Sequence, residues 1–514
     1  MTKLHKKMPI VLATLNARYI HTSFGLRYLK ANLGELEAQT EIVEFTLEPK
    51  PEDIAEKLLS YEPEVLMMSV YIWNTVQTEA VLGIVRSLRP DLLIVVGGPE
   101  VSYETETQNI FSLVDYVVSG WGDISAAELC RQLLSGERPS EKVIKGEQPK
   151  LCDIKMPYHL YTDEDVRNRV IYVEASRGCP YKCEFCLSAL DKTAWPFDID
   201  LFLAEMDKLY QRGVRQFKFV DRTFNLNIKI SLRILEFFLE RMDDDMFLHF
   251  ELIPDNLPDA LKETIQKFPE GKLQFEIGIQ TFNPEVQKLI SRRQKNDKAE
   301  DNLRWLRNET SAYLHTDLIF GLPSEGMESF SKSFDLLYSL KPHEIQLGIL
   351  KRLKGSPIIR HSDEYQLRFN PNPPYNILST RDVGFSEMQQ MNRFARFWDM
   401  LANSGRFRAS LPLLLENAER ESSPFKNFLR LSEEIYARLQ QTHKISLLRL
   451  FDVVFDVGVE VMRVEEMTLL EAIKSDFQRS GQKSLPKCLK KAGNVSVKSM
   501  QGDAARGNQR QLRH

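Results

Sequence analysis

Short apolar runs alternate with amphipathic segments along residues 1–135. The runs lie at 9–15, 40–47, 64–70, 92–98 and 116–120. The segments between them carry apolar residues at three- and four-residue steps; one opens with Pro51 and another closes at Pro90. Near-continuous apolar strands separated by helices imply a parallel sheet covered on both faces. We therefore predict an α/β, flavodoxin-like (Rossmann-like) doubly wound domain over residues 1–140, with ligands at the carboxyl ends of its strands.

A second β/α series follows a polar segment. Residues 136–168 are polar and carry several prolines, so we assign 141–168 as a linker. The strand-like runs of the second series lie at 170–176, 216–221, 247–253, 273–280, 315–322 and 344–350. Six parallel strands separated by helices predict a partial (β/α)6 barrel of the TIM type over 169–362. Its active site should lie at the C-terminal rim of the strands.

The strand pattern ends near residue 363. Helical patterns follow, and they predict a mostly helical C-terminal domain over 363–480. The last 35 residues carry eight Lys/Arg against Asp503 alone. Such a composition is typical of a solvated chain end, so we predict a basic, disordered tail over 481–514.

The bulk composition narrows the function classes. A net charge of −4 over 514 residues argues against a broad nucleic-acid or membrane surface. No stretch approaches the roughly 20 apolar residues that span a bilayer, and the run 9–15 is too short for a signal peptide. We therefore expect a cytoplasmic protein that acts on a small molecule, without a nucleic-acid partner.

Three of the six cysteines lie within eight residues, directly after a predicted strand. Cys179, Cys183 and Cys186 have the spacing C-x3-C-x2-C. Thiolates are the usual ligands of iron–sulfur clusters, and three of them leave one iron of a 4Fe-4S cluster open. A structural zinc site needs a fourth ligand, yet the next histidine is His249 and Cys152 lies 27 residues upstream. Three buried cysteines, or zinc with a distant fourth ligand, remain the alternatives.

The segment CPYKCEFC resembles the signature of the radical S-adenosylmethionine (SAM) superfamily, in which an aromatic residue, here Phe185, precedes the third cysteine. The match covers 169–362. The resemblance implies a 4Fe-4S cluster whose open iron is chelated by the amino and carboxylate groups of SAM. One electron, from a donor such as flavodoxin or ferredoxin, then cleaves SAM to methionine and a 5′-deoxyadenosyl radical.

The same resemblance implies further SAM contacts, including Phe185. Asp221 lies where many members carry a Gly-Gly-Glu segment that contacts the methionine amino group, and this chain departs from that pattern. Glu251, Gln280 and Leu350 lie at strand ends that surround the ribose and adenine in the superfamily.

A flavodoxin-like domain before such a barrel resembles the cobalamin-binding branch of the superfamily. The resemblance implies that cobalamin binds at the strand ends of the first domain, through His21, Gly25, Ser69, Tyr71, Gly97, Gly98, Gly120 and Trp121. Glycines there permit close approach of the backbone to a ligand. Cobalamin proteins with a histidine ligand to cobalt use D-x-H-x-x-G. Here Tyr19 replaces the aspartate and Gly25 follows His21 by four residues, so an ordinary loop histidine is the alternative.

The resemblance implies a class B methyltransferase that acts on an unactivated carbon or on phosphorus. One SAM would methylate cobalamin, and a second would supply the radical. The alternatives are a cobalamin-assisted radical oxidation or cyclisation, as in anaerobic magnesium-protoporphyrin cyclase, and a non-catalytic cobalamin-binding sensor. Methylthiotransferases of transfer RNA carry three N-terminal cysteines, whereas only Cys130 and Cys152 precede the barrel here.

Overall fold

A computed structural model describes residues 7–191, 193–416, 423–482 and 484–491 of the chain. Six parallel strands form its N-terminal sheet: β1 (Ile10–Asn16), β2 (Thr40–Thr46), β3 (Val65–Ser69), β4 (Leu93–Gly97), β5 (Tyr116–Gly120) and β6 (Val143–Gly146). The strand order is β2-β1-β3-β4-β5-β6. Four helices cover it: α1 (Phe24–Ala31), α2 (Pro51–Leu59), α3 (Thr75–Leu88) and α4 (Ser125–Ser135). The predicted doubly wound domain is confirmed.

Helices cover both faces of the sheet, and successive side chains of each strand point to opposite faces, so both sets of side chains are buried. Val11 packs with Leu58 of α2 on one face, and Leu12 packs with Leu26 of α1 on the other. Each fully buried leucine stabilises the fold by about 1.5–3 kcal/mol. The two cores fix the sheet, so its carboxyl-end loops are held in place.

The linker prediction over 141–168 is wrong in part. Residues 143–146 form β6, which pairs in parallel with β5 at the edge of the sheet. An edge strand has one neighbour and needs no apolar run, so its sequence, VIKG, carried no strong strand signal. A short helix, α5 (Asp163–Asn168), completes this segment and begins with a capping box from Thr162.

The second sheet is the predicted partial barrel. Its strands are β7 (Ile171–Val173), β10 (Gln216–Phe219), β11 (Phe247–Leu252), β12 (Leu273–Gln280), β13 (Tyr313–Phe320) and β14 (Glu344–Ile349). A separate antiparallel pair, β8 (Ser176–Gly178) and β9 (Ala194–Pro196), lies between β7 and β10 in the chain. The barrel order is β14-β13-β12-β11-β10-β7, all parallel, and β8 pairs with β9. Its helices are α6 (Ile199–Gln211), α7 (Ile228–Leu239), α8 (Asp259–Ile265), α9 (Pro284–Leu289), α10 (Asn296–Glu309) and α11 (Met327–Ser339).

Side chains of the barrel strands alternate between the surrounding helices and the lumen. Phe219, Phe250 and Phe275 form a row of ring contacts on the helix side, with centroid separations of 4.4 and 6.3 Å. Lys218 and His249, which are partners in register, lie on the opposite, lumenal side. The barrel is therefore apolar outside its sheet and polar within.

The C-terminal part begins with a short antiparallel pair of strands. The sequence pattern did not predict this pair, since its strand signal ends near residue 363. Its elements are β15 (Arg368–Phe369), β16 (Ile377–Ser379), α12 (Phe385–Trp398), α13 (Ser410–Leu415), α14 (Pro424–Leu439), α15 (Leu447–Glu460), α16 (Glu466–Arg479) and α17 (Lys487–Lys491). Phe334 of α11 packs edge-on against Phe394 and Trp398 of α12, with ring centroids 5.4 and 4.9 Å apart. The helices thus pack on the α11 side of the barrel.

The prediction of a disordered tail over 481–514 is wrong at its start. Helix α17 buries Cys488 and Leu489 against the C-terminal helices, while residues 492–514 lie outside the described residues. Among the helices that the structure describes, none is long and apolar enough to cross a membrane.

A buried ion network joins the first domain to the entrance of the barrel. It consists of Arg27, Glu44, Asp165 and Arg169. Arg27 contacts Glu44 at 2.6 Å and Asp165 at 2.8 Å, and Arg169 contacts the same two carboxylates at 3.0 Å each. Every charge has an opposite partner, which offsets the desolvation cost of burying the group.

Candidate functional site

A cavity of about 210 Å³ opens at the carboxyl ends of the barrel strands. Cys179, Cys183 and Cys186 all line it. They lie in the loop between β8 and β9, directly after the first barrel strand. The structure therefore brings the three predicted cysteines to one wall of one cavity, at the rim where the sequence placed them.

Gly178 sets the backbone path into this loop. Its φ is +90°, and a Cβ there would lie 1.8 Å from the carbonyl oxygen of Thr193. Only glycine accepts both the left-handed conformation and this close approach. The tight pairing of β8 with β9 thus presents Cys179 at the loop start, and the turn is closed by a hydrogen bond from Cys186 N to Cys183 O, 3.0 Å long.

Glu184 holds the centre of the loop. Its buried carboxylate accepts a hydrogen bond from Ser291 Oγ at 2.6 Å, and it pairs with His361 Nε2 at 2.7 Å and with Arg360. These partners come from beyond α9 and beyond β14. No local signal in the sequence indicates this role, because the partners of Glu184 lie 107 or more positions away.

Cationic side chains face the cysteines. Burial raises the pKa of the Cys183 thiol, and the charge of Arg292, whose Nη1 lies 3.8 Å from the sulfur, works in the opposite direction. Burial also raises the pKa of Cys179, and Arg222 opposes that shift. Positive charge beside buried sulfur favours thiolate, the form that binds metal.

Three of the predicted SAM contacts line the cavity: Phe185, Glu251 and Gln280. Burial raises the pKa of Glu251 to about 7. Gln280 has a φ of +69° at the end of β12, after a register shift that begins at Gly278. A non-glycine residue in the left-handed region at a cavity wall is typical of functional sites.

Asp221 and Leu350 do not reach the cavity wall. The buried carboxylate of Asp221 accepts hydrogen bonds from Ala175 N at 3.0 Å and Ser176 Oγ at 2.6 Å, so it supports the strand end before the cysteine loop. Leu350 is buried in the core. The β10 end instead presents Arg222 to the cavity, one residue after Asp221, because successive side chains of an extended chain point to opposite sides.

The carboxyl edge of the first sheet carries an aromatic stack. Tyr71 and Trp73 follow β3 with ring centroids 4.4 Å apart and planes within 6° of parallel. Trp73 is 47% exposed, and its Nε1 donates to Leu15 O at 3.2 Å. Tyr71 was among the predicted cobalamin contacts and Trp73 was not, although a second aromatic three residues after the predicted strand end at residue 70 was a usable signal.

The predicted glycines lie along the same edge. Gly98, after β4, has a φ of +109°, and a Cβ there would lie 2.6 Å from Val70 O. The loops after β3 and β4 therefore cross in direct contact. Gly97, Gly120, Ser69 and Gly25 lie at or beside the ends of β4, β5, β3 and the start of α1.

His21 and Trp121 lie where the first domain meets the barrel. His21 Nδ1 is 2.7 Å from the hydroxyl of Tyr172, and burial is the main cause that lowers the pKa of His21 to about 4. Trp121 lies under the guanidinium of Arg177, which also contacts Asp123 at 2.9 Å. Arg177 precedes the cysteine loop, so this cluster links the edge of the first sheet to that loop.

Comparison with known protein families agrees with this division. The model of the B12 binding domain matches residues 10–130, and that of the Radical SAM superfamily matches 173–337. The family model DUF4080, described as a protein of unknown function, matches residues 363–513. The chain thus contains a radical SAM domain preceded by a B12-binding domain, and these domains imply a 4Fe-4S cluster, SAM and cobalamin as cofactors.

Individual relatives are similar at low identity. The cobalamin-dependent radical SAM methyltransferase TokK from Streptomyces tokunonensis is 26% identical over 357 residues, which are 61% of this chain and 51% of TokK. An uncharacterized methyltransferase, PH0819, from Pyrococcus horikoshii is 25% identical over 352 residues, 61% of this chain and 74% of that protein. The chain therefore matches about half the length of TokK.

Solved structures share the fold. The cobalamin-dependent SAM radical enzyme OxsB, with aqua-cobalamin and SAM bound, has a TM-score of 0.62 at 14% identity. The match covers 93% of this chain and 85% of the OxsB chain. The radical SAM methyltransferase TsrM from Kitasatospora setae has a TM-score of 0.58 at 16% identity, covering 71% and 79%.

Proposed function

We propose that this chain is a cobalamin-dependent radical SAM methyltransferase that methylates an unactivated carbon or a phosphorus of a small molecule. The observation that carries the proposal is the convergence of two sheet edges. Asp123, after β5, contacts Arg177 beside the cysteine loop, and Glu104, after β4, contacts Arg352 after β14 at 2.5 Å. The carboxyl-end loops of the B12-type sheet therefore meet those of the barrel, where a methyl carrier and a cluster must lie close together.

The residues present fit a 4Fe-4S cluster. Cys179, Cys183 and Cys186 supply three sulfur donors from a single loop, and the cavity beside them leaves a fourth position open. Arg222 and Arg292 line the same cavity and offset the negative charge of thiolates. When bound, the cluster supplies one electron to SAM and cobalamin carries the methyl group, with flavodoxin or ferredoxin as the class of reductant.

The remaining residues of the site bind and orient SAM and the corrin ring. In this proposal Phe185, Glu251 and Gln280 contact SAM, and the Tyr71–Trp73 stack supports one face of the corrin ring. The side-chain rings of Tyr71 and Trp73 are flat, and that of Trp73 is half exposed at the sheet edge. They therefore offer a broad apolar platform without a large loss of side-chain entropy.

Anaerobic reconstitution with iron and sulfide tests the cluster assignment. We expect the wild-type protein to bind a 4Fe-4S cluster, to change its electron paramagnetic resonance spectrum with SAM, and to form 5′-deoxyadenosine under a strong reductant. Alanine at Cys179, Cys183 or Cys186 should abolish all three results. Cys152→Ser is the matched control, because Cys152 is exposed and distant in sequence from the loop. Cluster content that survives in the triplet variants would contradict the proposal.

Methyl-labelled SAM tests the reaction class. In an extract of small metabolites, methylation would transfer the label from SAM to a product of increased mass. Deoxyadenosine formation without label transfer would instead indicate oxidation or cyclisation. Failure to cleave SAM at all would indicate a cobalamin-binding sensor.

A further inference from the structure

Glu276, His315 and Asp317 form a compact cluster at the floor of the barrel cavity. Glu276 of β12 and His315 of β13 are direct partners in register, and Asp317 follows two residues later on the same face of β13. One ligand atom from each residue lies within 4.8 Å of the others. The His315 side chain is 2% exposed, whereas both carboxylates line the cavity.

We propose that these three residues bind a divalent transition metal ion, separate from the iron–sulfur cluster. Imidazole and carboxylate donors suit manganese, iron and zinc, whereas the three cysteines supply the soft sulfur donors of a cluster. Metal–ligand bonds of about 2.0–2.2 Å place ligand atoms at most about 4.4 Å apart, so small side-chain rotations would close the site.

A second histidine points to the same position. His249 of β11 is 1% exposed, and within the described residues its Nδ1 makes no hydrogen bond. Its Nε2 lies 3.2 Å from Oε2 of Glu276. A buried ring nitrogen without a hydrogen bond is costly, and a metal ion bound beside Glu276 would give the imidazole a further partner.

The carboxylates around His315 also favour a cation. Carboxylates of Glu251, Glu276 and Asp317 line the cavity, and the side chain of Glu344 lies 3.7 Å from His315 with no exposure to solvent. Lys218, Arg222 and Arg292 share this lumen and offset part of the carboxylate charge. A dication would compensate carboxylates that burial otherwise destabilises. Its remaining coordination positions would face the cavity, where water or an oxygen or nitrogen atom of a substrate could bind.

Manganese titration of the reconstituted holoenzyme tests the site. After removal of adventitious metal with a chelator, Mn²⁺ is added and the free ion is followed by its electron paramagnetic resonance signal. We expect one saturable Mn²⁺ per chain. His315→Ala and Asp317→Asn should weaken its affinity more than about 100-fold, because even the loss of an outer partner costs about 10- to 100-fold.

Two controls isolate the site. Asp255→Asn removes another carboxylate of the same cavity, and His159→Ala removes an exposed histidine that pairs with Glu37; both should bind Mn²⁺ as the wild type does. Asp317→Asn is nearly isosteric, so it tests the site even if His315→Ala fails to fold. The absence of saturable binding, or binding that Asp317→Asn leaves unchanged, would overturn the proposal. Neither result bears on methyl transfer, which is tested separately with labelled SAM.

Discussion

Replacing Arg27 with methionine removes one of the two cations of the buried ion network between the first domain and the barrel. Arg27 is 3% exposed and contacts both Glu44 and Asp165, at 2.6 and 2.8 Å. Methionine keeps the apolar stem but leaves two buried carboxylates with Arg169 alone. Truncation of one partner in a buried ion pair costs about 3–5 kcal/mol, because the remaining charge is desolvated without compensation.

Urea-induced unfolding measures this cost. Tryptophan fluorescence and far-ultraviolet circular dichroism should both report a free energy of unfolding that is lower by about 3–5 kcal/mol in Arg27→Met. The matched control is Arg89→Met, which removes an exposed pair with Asp91 at 2.8 Å. Exposed pairs contribute little, so we expect a change within about 0.5 kcal/mol for the control.

The comparison of the two variants can refute the reasoning. A loss below about 1 kcal/mol in Arg27→Met would show that the network is no stronger than a surface ion pair. An equal loss in both variants would show that the effect does not depend on burial. In either case the network would not be what joins the first domain to the barrel.

Three further predictions follow from the geometry. Burial would raise the pKa of Glu44 and Asp165, but the neighbouring arginines hold both below their ordinary values. Their stabilisation is therefore present above the unfolded pKa values of about 4.3 and 3.9 and is lost as pH falls through the lower folded values. Thermal melts from about pH 6 to about pH 3 should show this loss, and it should be smaller in Arg27→Met. Gly98→Ala should destabilise the first domain by about 1 kcal/mol or more and reduce cobalamin binding, measured by absorbance, because its Cβ would strike Val70 O. Trp73→Ala should lower corrinoid affinity, measured by equilibrium dialysis, while the melting temperature stays within a few degrees; unchanged affinity would contradict the platform role.

The local signals in the sequence were sufficient for most of the fold. The apolar runs predicted every principal strand of both sheets within a few residues, because a strand buried on both faces must be apolar along its length. The cysteine spacing likewise predicted that three candidate ligands lie together, and all three line one cavity, since side chains of one short loop depend on nothing distant. Strand β6 escaped prediction because an edge strand can be short and polar.

Contacts between residues far apart in the chain were decided only by the tertiary structure. Asp221 and Arg222 are neighbours in sequence, but only the folded β10 end shows that Arg222 lines the cavity while Asp221 binds Ala175 and Ser176. The partners of Glu184 lie more than 100 residues away, and so does Asp165, one of the two carboxylates that Arg27 contacts.

The sequence by itself determined which segments become strands and where the cysteine loop lies, because each depends on residues within one short segment. The tertiary structure decided which side chains meet in the barrel lumen. The juxtaposition of Glu276 and His315 arises from the register of β12 against β13. Register is set by packing of both faces and by the helices between the strands, and a shift of one residue would reverse every side chain.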